Sequence, residues 1–243
     1  MAGDSQLPAL HCDGDVVAVD KPPGLSAVHD GNRPDEPNAM ELLGATYGKI
    51  FTVHRIDRDT SGVLVAARTA EAHQHLSKQF EAHTVTKAYR CLVRGHPNWE
   101  ALSAGEPLRA NAGRSHRTVV DMASGKPATT RFTVAERFRG LALLVAEPEQ
   151  GRRHQIRAHL EHLGHPIVCD TLYGDGRPLL LSEVKRGYRR AAREERPLLD
   201  RMGLHAESIS FDHPASGERL TMAAPLPTDL EVALKQLRRW ARR

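Results

Sequence analysis

His54-Arg55-Ile56-Asp57-Arg58-Asp59-Thr60-Ser61-Gly62 is a polar nonapeptide set inside an apolar stretch of a 243-residue chain. Residues 51–54 begin an apolar alternation, the nonapeptide interrupts it, and Val63-Leu64-Val65-Ala66-Ala67 resumes it. Such runs read as strands, so the polar stretch is a loop between strands. Within it one carboxylate, Asp57, stands between Arg55 and Arg58. Flanking cations favour the ionised form of a carboxylate, even where water is partly excluded. An ionised, positioned carboxylate can act as nucleophile or base. On these nine residues alone, a surface turn with its own ion pairs fits as well. A calcium loop does not fit: Asp57, Asp59, Ser61 and Gly62 match its first half, but its closing bidentate Glu is replaced by Arg68, and the flanks are strand-like.

Outward from this loop, Val16 to Asp20 read as a short buried strand that ends at the turn Lys21-Pro22-Pro23-Gly24. Thr69 is placed to cap a helix running to about Phe80, and Tyr89 to Arg94 is a further strand. Thr118–Met122, Thr129–Glu136 and Leu141–Glu147 form three more strands, with turns at Gly125-Lys126-Pro127 and Gly140. After Gly151 the period changes. Ile156, Leu160 and Leu163 share one helical face, and Gly164 suits the residue just past the helix end. Residues 176–203 read as a basic helical insertion. Residues 204–223 return to strand and turn, and Thr228 caps a last helix through Trp240. Strands dominate with few helices between them, which gives an α+β fold on a largely antiparallel mixed sheet with flanking helices. No linker splits the chain, so residues 1–243 are expected to form one domain, with 1–11 flexible.

The composition is that of an ordinary globular protein, 40% hydrophobic and 26% charged. No apolar run is long enough to span a bilayer. Residues 1–10 carry acid and lack the apolar core of a secretory signal. Cys12, Cys91 and Cys169 are odd in number and form no C-x-x-C pair, which suits a reducing cytoplasm and opposes a disulfide framework or a cysteine zinc site. The net charge of +4 is unevenly spread. Lys185, Arg186, Arg189, Arg190, Arg193 and Arg196 cluster in the insertion, and the chain ends Arg238-Arg239-Trp240-Ala241-Arg242-Arg243. Clusters of this kind suit a polyanion such as RNA, although composition alone slightly favours a solvated face and a frayed tail.

A second constellation is Gly151-Arg152-Arg153-His154-Gln155-Ile156-Arg157-Ala158-His159. It lies at a helix start, where amide donors and cations favour anions, and Arg153, His154 and Arg157 are spaced to share a face. A solvated basic helix face is the simpler account of these residues taken alone. His154, His159, His162 and His165 form no metal-ligand spacing and read as scattered surface histidines. No phosphate-binding P-loop occurs, and the absence of a G-x-S-x-G elbow and a G-x-G-x-x-G fingerprint opposes serine hydrolases and dinucleotide enzymes.

Taken in order, these segments resemble the RluA family of pseudouridine synthases. Val16 to Gly24 is similar to its opening strand and Lys-Pro-x-Gly turn, and His54 to Gly62 to its H-R-x-D-x-x-T-S-G signature. Lys87-Ala88-Tyr89, with Val93 and Gly95, resembles its K-x-Y strand, and Gly151 to His159 its G-R-x-H-Q-I-R-x-H segment. Gly164 to Val168, Asp170 and Tyr173-Gly174 follow as in the family, as do Leu204-His205-Ala206 and Phe211 to Pro214. The resemblance implies an RNA-modifying isomerase with a central catalytic cleft, no cofactor and no metal, acting on ribosomal or transfer RNA; no obligate protein partner and no membrane association are expected, a cytoplasmic location suits the cysteines, and a monomer is the default, since the sequence does not give the oligomeric state. Asp57 would be the essential aspartate, Arg157 its partner, and Tyr89 the residue against the flipped base. Arg55 would enter the RNA stack, Lys21 and its turn would support the site, and Arg58, Arg152, Arg153, Lys185, Arg186, Arg189 and Arg190 would contact RNA. An appended N-terminal RNA-binding module is not expected. The chain departs from the family pattern at Asp20 (commonly Asn), Cys91 (small and apolar), Arg153 (Thr or Ser) and Cys169 (Gly). A non-catalytic RNA-binding protein on the same fold, and a metal-dependent nuclease using Asp57 and Asp59, are the competing readings.

Overall fold

A computed structural model describes residues 6–31, 33–113, 117–188 and 195–242. In chain order its elements begin with β1 (Ala9–Cys12), β2 (Val16–Lys21), α1 (Ala39–Tyr47), β3 (Phe51–Thr52), β4 (Ser61–Ala67), α2 (Ala70–Glu81), β5 (Thr86–Arg94) and β6 (Ala101–Ala104). They continue with β7 (Leu108–Ala112), β8 (Arg117–Val120), β9 (Thr130–Phe138), β10 (Leu141–Pro148), α3 (Gln155–His162), α4 (Leu181–Val184), β11 (Leu204–Asp212), β12 (Arg219–Ala223) and α5 (Thr228–Trp240). Strand pairing is mixed and mostly antiparallel, and helices are few, so the fold is α+β. Contacts divide the chain into two compact units, residues 1–88 with 205–225, and residues 89–204 with 226–243.

In the first unit β2 pairs antiparallel with β1 and β4, while β4 pairs in parallel with β11, which pairs antiparallel with β12. All seven residues of β4 are buried, which is why it reads as a continuous small and β-branched run. Ala72 and Leu76 of α2 pack on Val16, Val63, Val65, Ile209 and Phe211. The hydroxyl of Thr69 accepts from the Ala72 amide at 3.1 Å, capping α2 where the sequence places the cap.

In the second unit β5, β10, β9 and β6 form an antiparallel sheet, with β7 and β8 as a separate hairpin. Alternation along β5 and β10 gives this sheet two apolar faces. Leu92, Leu141 and Leu143 meet Leu230, Leu234 and Leu237 of α5 on one. Cys91, Val93, Ala142 and Leu144 meet Ile156 and Leu160 of α3 on the other.

Several expectations need correction. Residues 9–11, expected to be flexible, belong to β1, which completes the hydrogen bonding of β2. Within 176–203 the described residues hold only the single turn α4. Leu179, Val184 and Leu199 are drawn into the core, and Leu179 bridges to Leu199; that tertiary demand, with Pro178, Gly187 and Pro197, overrides helix propensity. Thr228 opens α5, but Pro227 holds the capping position and no side chain caps the helix. The basic end of α5 is not frayed: Arg238 pairs with Glu136 at 2.6 Å, and Arg239 lies over Trp240. The helix α1 is absent from the sequence reading, although Asn38 and Glu41 form a complete capping box.

Candidate active site

Asp57 lies half-buried in the loop that leads into β4. The loop is braced from below by Lys21, which ends β2 and is fully buried. Its ammonium donates to the carbonyls of Pro22 (2.8 Å), Leu25 (2.8 Å) and Arg58 (3.0 Å). A buried cation requires such satisfaction, so the Lys-Pro-Pro-Gly turn and the loop are fixed to one point. The Gly24 amide also donates to the Arg58 carbonyl at 3.0 Å. Arg58 itself turns back, its Nε donating to the Gly24 carbonyl at 2.6 Å and its Nη2 pairing with Glu36 at 2.9 Å. The Thr60 amide closes a turn on the Asp57 carbonyl at 3.1 Å. Arg55 is exposed.

The Thr-Ser-Gly end of the nonapeptide belongs to the sheet. Ser61 and Gly62 pair with His205 and Ala206 of β11. The Nε2–H of His205 donates to the Ala224 carbonyl at 3.3 Å, which leaves Nδ1 to accept from the Ser61 hydroxyl at 3.0 Å. A Cβ on Gly62 would overlap the Ala206 carbonyl, and its φ of 109° already excludes most side chains. At the other end, His54 stacks on Phe80 and its Nε2 accepts from the Val65 amide at 3.0 Å. Burial, reinforced by the Lys87 charge, pushes the His54 imidazole down to about 3, so it is neutral at physiological pH. Burial likewise lowers the Lys87 ammonium to about 8. Nothing in the sequence signals either shift beyond the K-x-Y spacing.

In the second unit Tyr89 stands opposite Ala146 of β10 and packs on the face of the sheet that α3 covers. The alternation Tyr89, Cys91, Val93 puts it there. Arg157 rises from α3 and is buried. Its Nε and Nη2 grip Asp170 at 2.7 and 2.9 Å, and its guanidinium lies 4.8 Å from the centre of the Tyr173 ring. Burial alone would raise the Asp170 carboxyl. The Arg157 hydrogen bonds and charge, with the Tyr173 and Leu172 amides, outweigh it and hold the group below the ordinary carboxylate range.

The segment 151–159 is therefore divided in its work. Gln155 donates to the Thr129 carbonyl and to Thr130 Oγ1, and His159 bridges Thr130 Oγ1 and the Glu106 carbonyl, so both fasten α3 to its surroundings. His159 is fully buried, not a surface histidine, and burial lowers its pKa. Arg153, His154 and Arg157 do not share a face. Arg153 precedes the helix and donates to Asn111 Oδ1 at 2.6 Å, and His154 takes the left-handed conformation (φ 52°) before the first turn. Arg152 is exposed with its Nε on the Pro127 carbonyl. Lys185 sits 4.4 Å from the centre of the Trp240 ring, and Arg186 is exposed. Arg189 and Arg190 lie outside the described residues. Asp170 and Tyr173 enter the sequence reading only as part of a motif, and nothing in their spacing foretells the Arg157 contact.

Residues 15–162 match the family model described as RNA pseudouridylate synthase. The chain belongs to this family. It is an RNA pseudouridine synthase, an isomerase acting on RNA. Among curated relatives, the ribosomal large subunit pseudouridine synthase C of Vibrio cholerae is 39% identical, over 94% of this chain and 70% of its own length. The ribosomal large subunit pseudouridine synthase D of Xanthomonas campestris is 38% identical over 97% of this chain and 70% of its own. Among solved structures, Human RNA Pseudouridylate Synthase Domain Containing 1 shares the fold, with a TM-score of 0.73 over 100% of this chain and 91% of that one, at 24% identity. No helix among the described residues is long and apolar enough to cross a membrane.

Proposed function

We propose that this synthase isomerises uridine in large-subunit ribosomal RNA, with Asp57 as its reacting carboxylate. The observation that carries this reading is the bracing of the Asp57 loop by the buried Lys21 ammonium, whose bonds to the Pro22, Leu25 and Arg58 carbonyls fix the backbone that carries the carboxylate. The substrate class rests on the names of relatives that share nearly two fifths of their residues with this chain.

The reaction breaks the bond between uracil N1 and ribose C1′, turns the base, and joins C5 to C1′. The C5 proton leaves to solvent and N1 gains one, with no change of oxidation state. Attack on C1′, attack on the base, and removal of a ribose proton all need an ionised carboxylate at position 57. In this reading Arg157 is the cation that keeps Asp57 ionised. Tyr89 holds the detached base flat and assists loss of the C5 proton. Arg55 fills the gap left in the stack and offsets part of the few kcal/mol that extrusion costs. Arg152, Arg153, Lys185, Arg186, Arg189 and Arg190 contact phosphates, and Arg58 adds charge while its guanidinium braces the loop.

The test is release of tritium from large-subunit ribosomal RNA labelled at uridine C5, with transfer RNA as the comparison. Release from ribosomal RNA at a single mapped uridine, undiminished by a chelator, is expected. Affinity should fall linearly with the logarithm of salt concentration as counterions are released. Release only from transfer RNA would overturn the substrate assignment, and loss of activity on chelation would favour a metal-dependent nuclease.

A further inference from the structure

We propose that Asp170 and Tyr173 are positioning residues for Arg157, forming a clamp that sets the direction of its guanidinium for the isomerisation. This rests on the reading of Arg157 as the cation serving Asp57. The clamp lies wholly within the second unit.

Arginine carries five N–H donors in a rigid plane, so two hydrogen bonds to one carboxylate fix both its position and its rotation. Asp170 supplies that grip through Nε and Nη2. It is itself held: its Oδ1 also accepts from the amides of Leu172 (2.9 Å) and Tyr173 (3.0 Å), and its side chain has no solvent exposure. The carboxylate therefore behaves as part of the backbone turn that carries it. The grip takes up the Nε/Nη2 edge of the guanidinium.

Tyr173 closes the remaining freedom, tilt out of the plane. Its ring lies against Arg157 at 4.8 Å and against Arg117 at 4.6 Å. Its hydroxyl is fixed in turn. The Thr118 amide donates to the oxygen at 2.7 Å, and the hydroxyl is hydrogen-bonded to Nδ1 of His154 at 3.0 Å. The His154 ring meets the tyrosine edge-on, with an interplanar angle of 89°. A non-glycine residue in the left-handed region costs of order 1 kcal/mol. Here that backbone, φ 52° at the residue before α3, delivers the imidazole to the tyrosine hydroxyl. Tyr173 thus ties β8, the start of α3 and the Arg157 side chain to one oxygen and one ring. A guanidinium needed only for charge would not require this much fixing. One that must meet a carboxylate at a set angle while a base turns does, because a displacement of about 1 Å can cost about a hundredfold in rate.

The experiment measures single-turnover rate at saturating RNA, RNA dissociation constant and thermal midpoint for Asp170→Asn, Tyr173→Leu and Arg157→Lys, alone and with each of the first two combined with the third. Asp170→Asn and Tyr173→Leu are expected to slow turnover about tenfold to a hundredfold, with the dissociation constant within about twofold of the wild type. On the Arg157→Lys background, which lacks the planar fork, neither should slow turnover further by more than about twofold, since both act through that fork. Tyr173→Phe, which keeps the ring, should stay within about threefold of the wild type. The clamp is overturned if folded Asp170→Asn and Tyr173→Leu keep the wild-type rate, or if their effects multiply with that of Arg157→Lys. It is also overturned if both variants fail to fold, because the pair would then be structural. Should Asp170→Asn alone fail to fold, Tyr173→Leu decides. Wild-type turnover in Arg157→Lys would instead remove the role given to Arg157, a different failure.

Discussion

Cys169 stands where the family resemblance leads one to expect glycine, and its φ is 61°, in the left-handed region that favours glycine. The thiol is buried, and burial raises its pKa to about 11, so it behaves as a small apolar group rather than a reactive one. At an ordinary core site alanine is a better replacement than glycine. Here the order should reverse: Cys169→Gly should be more stable than Cys169→Ala by about 1 kcal/mol, read from urea midpoints. The usual order would mean that the left-handed conformation is not held. His54 makes a pH-dependent contribution. Its folded pKa is about 3 against the ordinary 6.5, so below 6.5 the unfolded chain binds the extra proton. Stability from this group is therefore complete above 6.5 and is lost as pH falls toward 3. By pH 5 the loss should be of order 1–2 kcal/mol, and His54→Gln should show a shallower fall between pH 7 and 5. Equal slopes for the two proteins would contradict a neutral, buried imidazole.

At the scale of elements, β4 explains why the nonapeptide can be read at all. A fully buried strand beside a polar loop leaves an abrupt change of composition, and the observed boundary differs from the expected one only because Ser61 and Gly62 enter the strand. Gly62 marks the closest approach of β4 to β11, and Gly62→Ala should destabilise by roughly several kcal/mol, since both the φ of 109° and the Ala206 carbonyl oppose a Cβ. A thermal midpoint within about 2 °C of the wild type would be inconsistent with that parallel pairing. The helices α2 and α3 are legible because their apolar residues recur with helical period on one side. The segment 176–203 is not, because Leu179 and Leu199 are held by a bridge between residues distant in sequence, which no local window contains. The short strands β6 and β7 escape a sequence reading because each has only four or five residues without a sustained apolar alternation, and β6 pairs with β9, about thirty residues on.

Across the whole molecule, fold class follows from strand-dominated patterning, whereas the site follows only from motifs taken in order. The loop of Asp57 belongs to one compact unit, and Tyr89 and Arg157 to the other. No periodicity links positions so far apart, so composition and spacing leave a surface turn and a basic helix face as open alternatives. Of the supporting chemistry, Lys21 beneath the loop is implied by the family resemblance, whereas His205 behind Ser61 and Asp170 on Arg157 are not legible in the sequence. Each is an ordinary residue type until its partner is known. The most direct measurement is tritium release from C5-labelled ribosomal RNA by Asp57→Asn beside the wild type, with RNA affinity determined for both. A near-isosteric amide that binds RNA within a fewfold of the wild type yet turns nothing over is the predicted result. Turnover by Asp57→Asn at a rate comparable to the wild type would contradict a reacting carboxylate at this position.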